Sequence, residues 1–248
     1  MDKLFLLDAY ALIYRAYYAF IKNPRINSKG MNTSAVMGFV NTLNEILTKE
    51  NPTHIGVAFD NGKTFRDEAF PAYKAQREET PEDIRASVPV IKDIITAMNI
   101  PVLQADGFEA DDVIGTLATK AGAAGIETYM LTPDKDYGQL VRDNVFIFRP
   151  RHGGGYETMG PKEVNEKYGL SSPDQVIDLL ALMGDSADNF PGCPGVGPKT
   201  AAKLIGEFGS IDAMLANSSK IKGKLREKVE GAVEDIRMSK FLATIRTD

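Results

Sequence analysis

The chain has 248 residues, 43% hydrophobic and 25% charged, which is ordinary globular usage and enough for one large domain or a domain with an appendage. A single cysteine, Cys193, excludes an internal disulfide and a Cys-rich zinc site and fits a reducing, cytoplasmic setting. Two histidines, His54 and His152, argue against histidine acid–base chemistry, the net charge of −5 argues at first against a nucleic-acid partner, and no segment reaches the ~20 apolar residues of a membrane span.

LFLL reads as a strand ending in Asp8, and YALIYRAYYAF as the helix after it. This N-terminus has the look of a signal peptide, but Asp8 and Arg15 interrupt it and no small-residue cleavage site follows. SAVMGFVNTLNEILTK is a helix and THIGVAF a strand ending in Asp60. DIRASVPVIKDIITAM is again a helix, and the strand IPVLQA leads towards Glu109, Asp111 and Asp112. DDVIGTLATKAGAAG is helical, and the strand IETYML runs into Asp134 and Asp136. VFIFRPRHGGGYETM reads as a β-hairpin or edge strands around a Gly-rich turn that holds His152. From about Pro161 short helices take over, and VIDLLALMG among them runs into Asp185 and Asp188. The alternation predicts an α/β fold, with a mostly parallel central sheet flanked by helices over residues 1–160 and a helical region over 161–248.

Each aspartate alone reads best as a turn former or helix cap. Together, nine carboxylates collect where strands hand over to loops, the crevice in which open parallel sheets bind ligands. They would repel by about 4 kcal/mol per close pair at an effective dielectric of roughly 20. A hard cation such as Mg²⁺ or Mn²⁺ would hold them together. Setting those nine acids aside leaves 25 acidic residues against 29 basic ones. The remaining surface is then mildly basic and compatible with a phosphate partner.

Two further segments carry chemistry. In CPGVGPKTAAKLIGEFG, residues 193–209, Gly195 and Gly197 bracket a tight turn, and Thr200 opens an apolar helix carrying Lys199 and Lys203. That is the pattern of a helix–hairpin–helix, which grips a duplex backbone without reading bases; an ordinary helix–turn–helix corner is the alternative. Gly192 to Thr200 nearly spells a P-loop, but Pro198 precedes Lys199 and no strand leads in. In residues 64–88, Arg66, Lys74, Arg77 and Arg85 alternate with Phe65, Phe70 and Tyr73. Such a segment neutralises phosphates and stacks single-strand bases, or is a solvated amphipathic helix, and its balanced charges leave both open. Lys74 and Arg77, three apart, would share one helical face.

LLDAYALIYRAYYAF, FRDEAFPAYKAQR, GFEADDVIGTLA, LTPDKDYGQLV, ALMGDSADNFPGCPGVGPKTAAKLI and ATIRTD resemble the 5′-nuclease (flap endonuclease) family. The likeness is greatest to the N-terminal 5′→3′ exonuclease domain of bacterial DNA polymerase I, and it covers essentially the whole chain. It implies metal ligation by Asp8, Asp60, Glu109, Asp111, Asp112, Asp134, Asp136, Asp185 and Asp188, and catalytic roles for Lys74, Arg77 and Arg15 in and near a helical arch. It also implies DNA contact by Tyr73 and by the hairpin Gly195-Val196-Gly197, often with a K⁺ ion, beside Lys199, Thr200 and Lys203. The implied activity is a monomeric, structure-specific nuclease that cuts DNA flaps and duplex 5′ ends with two divalent ions, leaving 5′-phosphate and 3′-hydroxyl. A ribonuclease on a related scaffold and a non-catalytic helix–hairpin–helix module are the rival readings. A covalently linked polymerase and a stand-alone chain both fit.

Overall fold

The computed structural model describes residues 2–151 and 153–248; His152, inside the expected Gly-rich turn, lies outside them. β1 (Lys3–Asp8) occupies the middle of a six-stranded sheet. It pairs in parallel with β2 (His54–Ala58), and β3 (Val102–Leu103) lies parallel beyond it. On the other side β4 (Glu127–Leu131) and β5 (Val145–Pro150) follow in parallel, and β6 (Tyr156–Met159) closes that edge antiparallel. The chain fills one side of β1 and then crosses to the other, so the topological switch falls between β1 and β4. The expected α/β architecture is present, and the switch marks where a ligand crevice belongs.

Side chains on β1 alternate between two helical layers, as a strand period of two demands. Phe5 and Leu7 pack with α1 (Ala9–Ala19), α2 (Ser34–Glu45) and α4 (Glu82–Ala97), through residues such as Ile13, Phe39, Leu43 and Ile91. Leu6 faces the opposite layer with Ile114 and Ala118 of α5 (Ala110–Ala123). Between β2 and α4 runs only the five-residue α3 (Phe65–Ala69). β3 is shorter than the IPVLQA pattern predicts. Pro101 brings no N–H to that edge, and the chain turns away at Gly107, whose φ of +80° suits a residue without Cβ.

Beyond Met159 every regular element is helical. These are α6 (Pro161–Tyr168), α7 (Gln175–Met183), α8 (Pro198–Phe208), α9 (Ile211–Ala216), a 3-10 turn at Ser218–Lys220, α10 (Lys224–Gly231) and α11 (Val233–Ala243). α7 is buried on two sides. Val176 and Leu180 join the core of the α5 layer, whereas Leu179 and Leu182 join a separate cluster with Leu204, Ile205, Met214 and Ile236. Among the described residues, no helix is long and apolar enough to cross a membrane.

Candidate active site: an acidic cleft at the strand ends

A cleft of about 820 Å³ opens at the carboxyl ends of β1, β2 and β4, and Asp8, Asp60, Glu109, Asp111, Asp134, Asp136 and Asp188 line it. Local structure aims several of them. Asp8 Oδ1 caps α1 by accepting from the Ala11 N–H at 3.1 Å, and its Oδ2 accepts from Thr132 Oγ1 and Tyr137 Oη. Asp60 Oδ1 accepts from the Ala110 N–H at 2.7 Å, which ties β2 to the start of α5. Glu109 is the N-cap of α5 and Asp111 lies in its first turn, where the helix dipole favours negative charge. Asp134 Oδ1 accepts from the Asp136 N–H at 3.0 Å. Asp185 Oδ1 folds its own loop by accepting from the amides of Ala187 and Asp188.

Burial pushes the Asp8 carboxyl up to about 7, and the charges of Asp60 and Asp134 add to the rise. Asp136 is likewise pushed up to about 7 by burial and by Asp134, against the pull of Lys135. Asp111 is raised by burial, with Arg66 opposing and Asp112 and Glu109 reinforcing. Oδ1 of Asp111 and Oδ1 of Asp136 are buried without a hydrogen-bond partner. Their nearest cations, Arg66 Nη1 at 3.9 Å from Asp111 and Lys135 Nζ at 3.6 Å from Asp136, stand beyond hydrogen-bond reach, and buried carboxylates so placed are costly unless a cation meets them more closely. An all-carboxylate set of this kind fits a hard divalent ion.

Among the described residues, no three of these carboxylates converge on one point as they stand. Cationic side chains draw several of them aside. Lys74 Nζ lies 2.5 Å from Glu109 Oε1, Arg77 pairs with Asp188, and Lys135 pairs with Asp185. Burial disfavours charge on Lys74, yet Glu109 and Asp188 outweigh it and raise its pKa. The helix expected to carry Lys74 and Arg77 is a run of turns over residues 71–76. Its polar groups are taken up by the loop after α7. The Lys74 N–H donates to Asp188 O at 2.9 Å, Arg77 Nε to Ala187 O at 3.2 Å, and Asn189 Nδ2 to Ala72 O at 2.6 Å. Lys74 itself sits at φ +55°, a strained backbone for a lysine.

Several expected roles need correction. Asp112 is only 2% exposed and turned away from the cleft, where both its oxygens bind Arg66. Arg66, read as a cation open to phosphate, is 1% exposed and also reaches Glu109 Oε2 at 3.2 Å. Tyr73 is buried, and its hydroxyl donates to Glu109 at 3.1 Å, so its ring is closed to a stacking base. Arg15 is exposed on α1 and does not line the cleft; its charge adds a minor part to the lowering of the Glu45 carboxyl, which Lys49 mainly causes. The face of α1 that lines the cleft carries Tyr10, Tyr14 and Tyr18 instead. Their i, i+4, i+8 spacing could have revealed them, since one helical face repeats so.

In the hairpin, Gly195 holds φ +76°, Val196 is buried in the C-terminal cluster, and Gly197 precedes α8 in an ordinary extended conformation. Val196 therefore anchors the turn rather than facing outward. Gly197 offers no side chain to cap α8, leaving the first-turn amides for an anion. Lys199 and Lys203 are exposed beside it and Thr200 is half-buried.

Two family models match the chain: a 5′-3′ exonuclease, N-terminal resolvase-like domain over residues 3–169, and a 5′-3′ exonuclease, C-terminal SAM fold over residues 171–248. DNA polymerase I of Bacillus caldotenax is 44% identical over 250 residues, 99% of this chain but 28% of that protein. DNA polymerase I of Treponema pallidum is 41% identical over 246 residues, 99% of this chain and 25% of that protein. The chain thus spans about a quarter of the length of these relatives. Among solved structures, the T5 5′-exonuclease with bound zinc superimposes with a TM-score of 0.80 at 24% identity, covering 99% of this chain and 90% of that one. The catalytic core of Rad2 in complex with a DNA substrate gives 0.61 at 18% identity, covering 100% and 80%. These two likenesses establish the fold.

Proposed function

The chain belongs to the 5′-3′ exonuclease family, a family of hydrolytic nucleases, and from that premise we propose that it cuts DNA at 5′ flaps and duplex 5′ ends with divalent metal. One observation carries the reading: seven carboxylates, two of them with buried oxygens that accept no hydrogen bond, share a cleft with Lys74 and Arg77. Asp8, Asp60, Glu109, Asp111, Asp134 and Asp136 would hold Mg²⁺ or Mn²⁺, with Asp185 and Asp188 at the margin, while Asp112 is committed to Arg66. Bound there, two such ions supply the acidity that makes water a nucleophile and the charge that steadies a leaving 3′ oxygen.

The chain's own groups do the rest. Lys74, held at the rim by Glu109, adds positive charge where the phosphate becomes more negative during attack, and preorganised charge of this kind contributes most to rate. Arg77 is exposed and free to turn from Asp188 to a phosphate of the bound strand. Tyr10, Tyr14 and Tyr18 present aromatic surface along the cleft to unpaired bases. The hairpin at Gly195–Gly197 holds duplex backbone, with K⁺ as a candidate bridging ion, and positions without reading sequence. The polymerase I relatives support a partner polymerase domain in a longer protein, and the single cysteine supports a cytoplasmic setting.

A 5′-labelled flap, a nicked duplex and a blunt duplex, each with a matched RNA version, are incubated with Mg²⁺ or EDTA. Mg²⁺-dependent release of 5′-phosphorylated DNA products is the expected result. Faster cutting of the RNA versions would favour a ribonuclease, and binding without cutting would leave a DNA-holding module.

A further inference from the structure

We propose that the segment Leu242–Arg246 is a strap that sets the spacing between the two halves of the acidic cleft, and that Gln139 is the positioning residue fastening it. The proposal rests on the metal-dependent reading above and adds residues that the reading does not use. The strap begins with Leu242 and Ala243, the last residues of α11, and runs on past its C-terminus, with successive residues engaging alternate sides. Its even-numbered residues face the Glu109 side. Arg66 Nε donates to Leu242 O and Arg66 Nη2 to Thr244 O, each at 2.9 Å, and the Arg246 N–H donates to Asp112 Oδ1 at 2.8 Å. Its odd-numbered residues face the Asp136 side. Gln139 Nε2 donates to Ala243 O and Gln139 Oε1 accepts from the Ile245 N–H, each at 2.9 Å. The same Nε2 donates to Asp136 O at 3.0 Å.

The buried amide of Gln139, 3% exposed, thus joins the backbone of a cleft acid to the strap. The strap in turn joins that acid to Asp112 and, through Arg66, to Glu109. Ile245 is buried against α5 at Gly115, where a Cβ would stand 2.6 Å from its side chain. Gly115 lies one helical turn past Asp111, so the strap lies directly against the helix that presents that carboxylate. Partners behind metal ligands hold ligand geometry, and losing one costs roughly 10–100-fold in affinity or activity.

The test measures Mn²⁺ binding to the intact chain by calorimetry without DNA, alongside single-turnover cleavage as a function of Mg²⁺. Gln139→Ala is compared with Leu204→Ala, which opens a cavity in the separate C-terminal cluster. The expected result is roughly 10–100-fold weaker Mn²⁺ binding for Gln139→Ala, a matching rise in the Mg²⁺ needed for half-maximal rate, and a nearly normal rate at saturation. Leu204→Ala should leave the Mn²⁺ isotherm in place. Gly115→Ala, which wedges the strap outward, gives the same readout should Gln139→Ala fold poorly. Mn²⁺ affinity within twofold of wild type in both strap variants, or an equal loss in Leu204→Ala, overturns the strap. Absence of Mn²⁺ binding by the wild-type chain overturns the underlying metal reading itself.

Discussion

Arg66 and Asp112 form a buried two-pronged ion pair, Nη1 to Oδ2 at 2.7 Å and Nη2 to Oδ1 at 2.8 Å, behind the acidic cleft rather than within it. Asp111, beside it in sequence, lines the cleft, and its buried Oδ1 accepts no hydrogen bond and meets Arg66 Nη1 only at 3.9 Å. The neighbours should therefore respond in opposite ways. Asp112→Ala leaves a buried guanidinium short of its main partner, a loss on the order of 3–5 kcal/mol of stability. Asp111→Asn removes charge from a crowded site, and should abolish cleavage while keeping or raising the melting temperature in EDTA. Denaturation and cleavage measured on both variants check this, and equal destabilisation would contradict the division of roles.

The pH dependence follows from Asp8 and Asp136, both pushed up to about 7 from 3.8. Each binds its proton more tightly folded than unfolded. The stability this contributes is whole below pH 3.8 and is lost as pH rises through about 7. In EDTA the melting temperature should fall between pH 5 and pH 8, and less steeply in Asp136→Asn. Mn²⁺ binds the ionised forms, so its stabilisation should grow over the same interval. A melting temperature that climbs with pH alike in both proteins without metal would count against these buried carboxyls.

Much of this cleft is legible in the sequence because strand ends deliver it. Asp8, Asp60 and Asp134 follow apolar runs, and parallel pairing then brings those runs' ends together without further information. Arg66 is different. Its segment balances acids and bases and reads as solvated, while the partners that bury it lie 46 residues away at Asp112 and 176 away at Leu242. Arg15 fails for a related reason. A helical pattern shows that α1 has faces, but burial of Ala9, Leu12 and Ile13 in the core with Phe5 and Leu7, and of Ala16 against Gly38 of α2, decides that the tyrosine face meets the cleft. The turns at Lys74 depend on carbonyls and carboxylates of the loop after α7, which local propensity at residues 70–77 does not encode.

Lys74 and Arg77 should separate kinetically. Lys74 is half-buried at the cleft and bonded to Glu109, while Arg77 is exposed at its rim. Lys74→Ala should lower the single-turnover rate by about 2–4 kcal/mol, the usual cost of one electrostatic stabiliser, with little change in Kd. Arg77→Ala should mainly weaken binding and flatten its salt dependence, because a ground-state phosphate contact releases counterions. Wild-type rates and affinities for both variants would make the segment a plain solvated surface.

The hairpin offers a test that spares the fold. A Cβ on Gly197 meets nothing within 4 Å, and the residue's φ of −96° suits any amino acid. Gly195 is less useful, since its φ is +76° and a Cβ there would press on Lys228 Nζ at 2.5 Å. Gly197→Val should therefore fold normally and place a branched side chain where duplex backbone approaches. Affinity for a flap on a duplex should drop by a similar factor whatever the base sequence, because backbone contacts carry no sequence information. A short single strand, which needs only the cleft and its tyrosines, should bind almost as before. Lys199→Ala and Lys203→Ala should each reduce the slope of log affinity against log salt by about 0.9 if each side chain meets one phosphate. Should Gly197→Val weaken single strand and duplex equally, the hairpin is not the duplex grip. Unchanged slopes in both lysine variants would move the duplex to another face of the C-terminal helices.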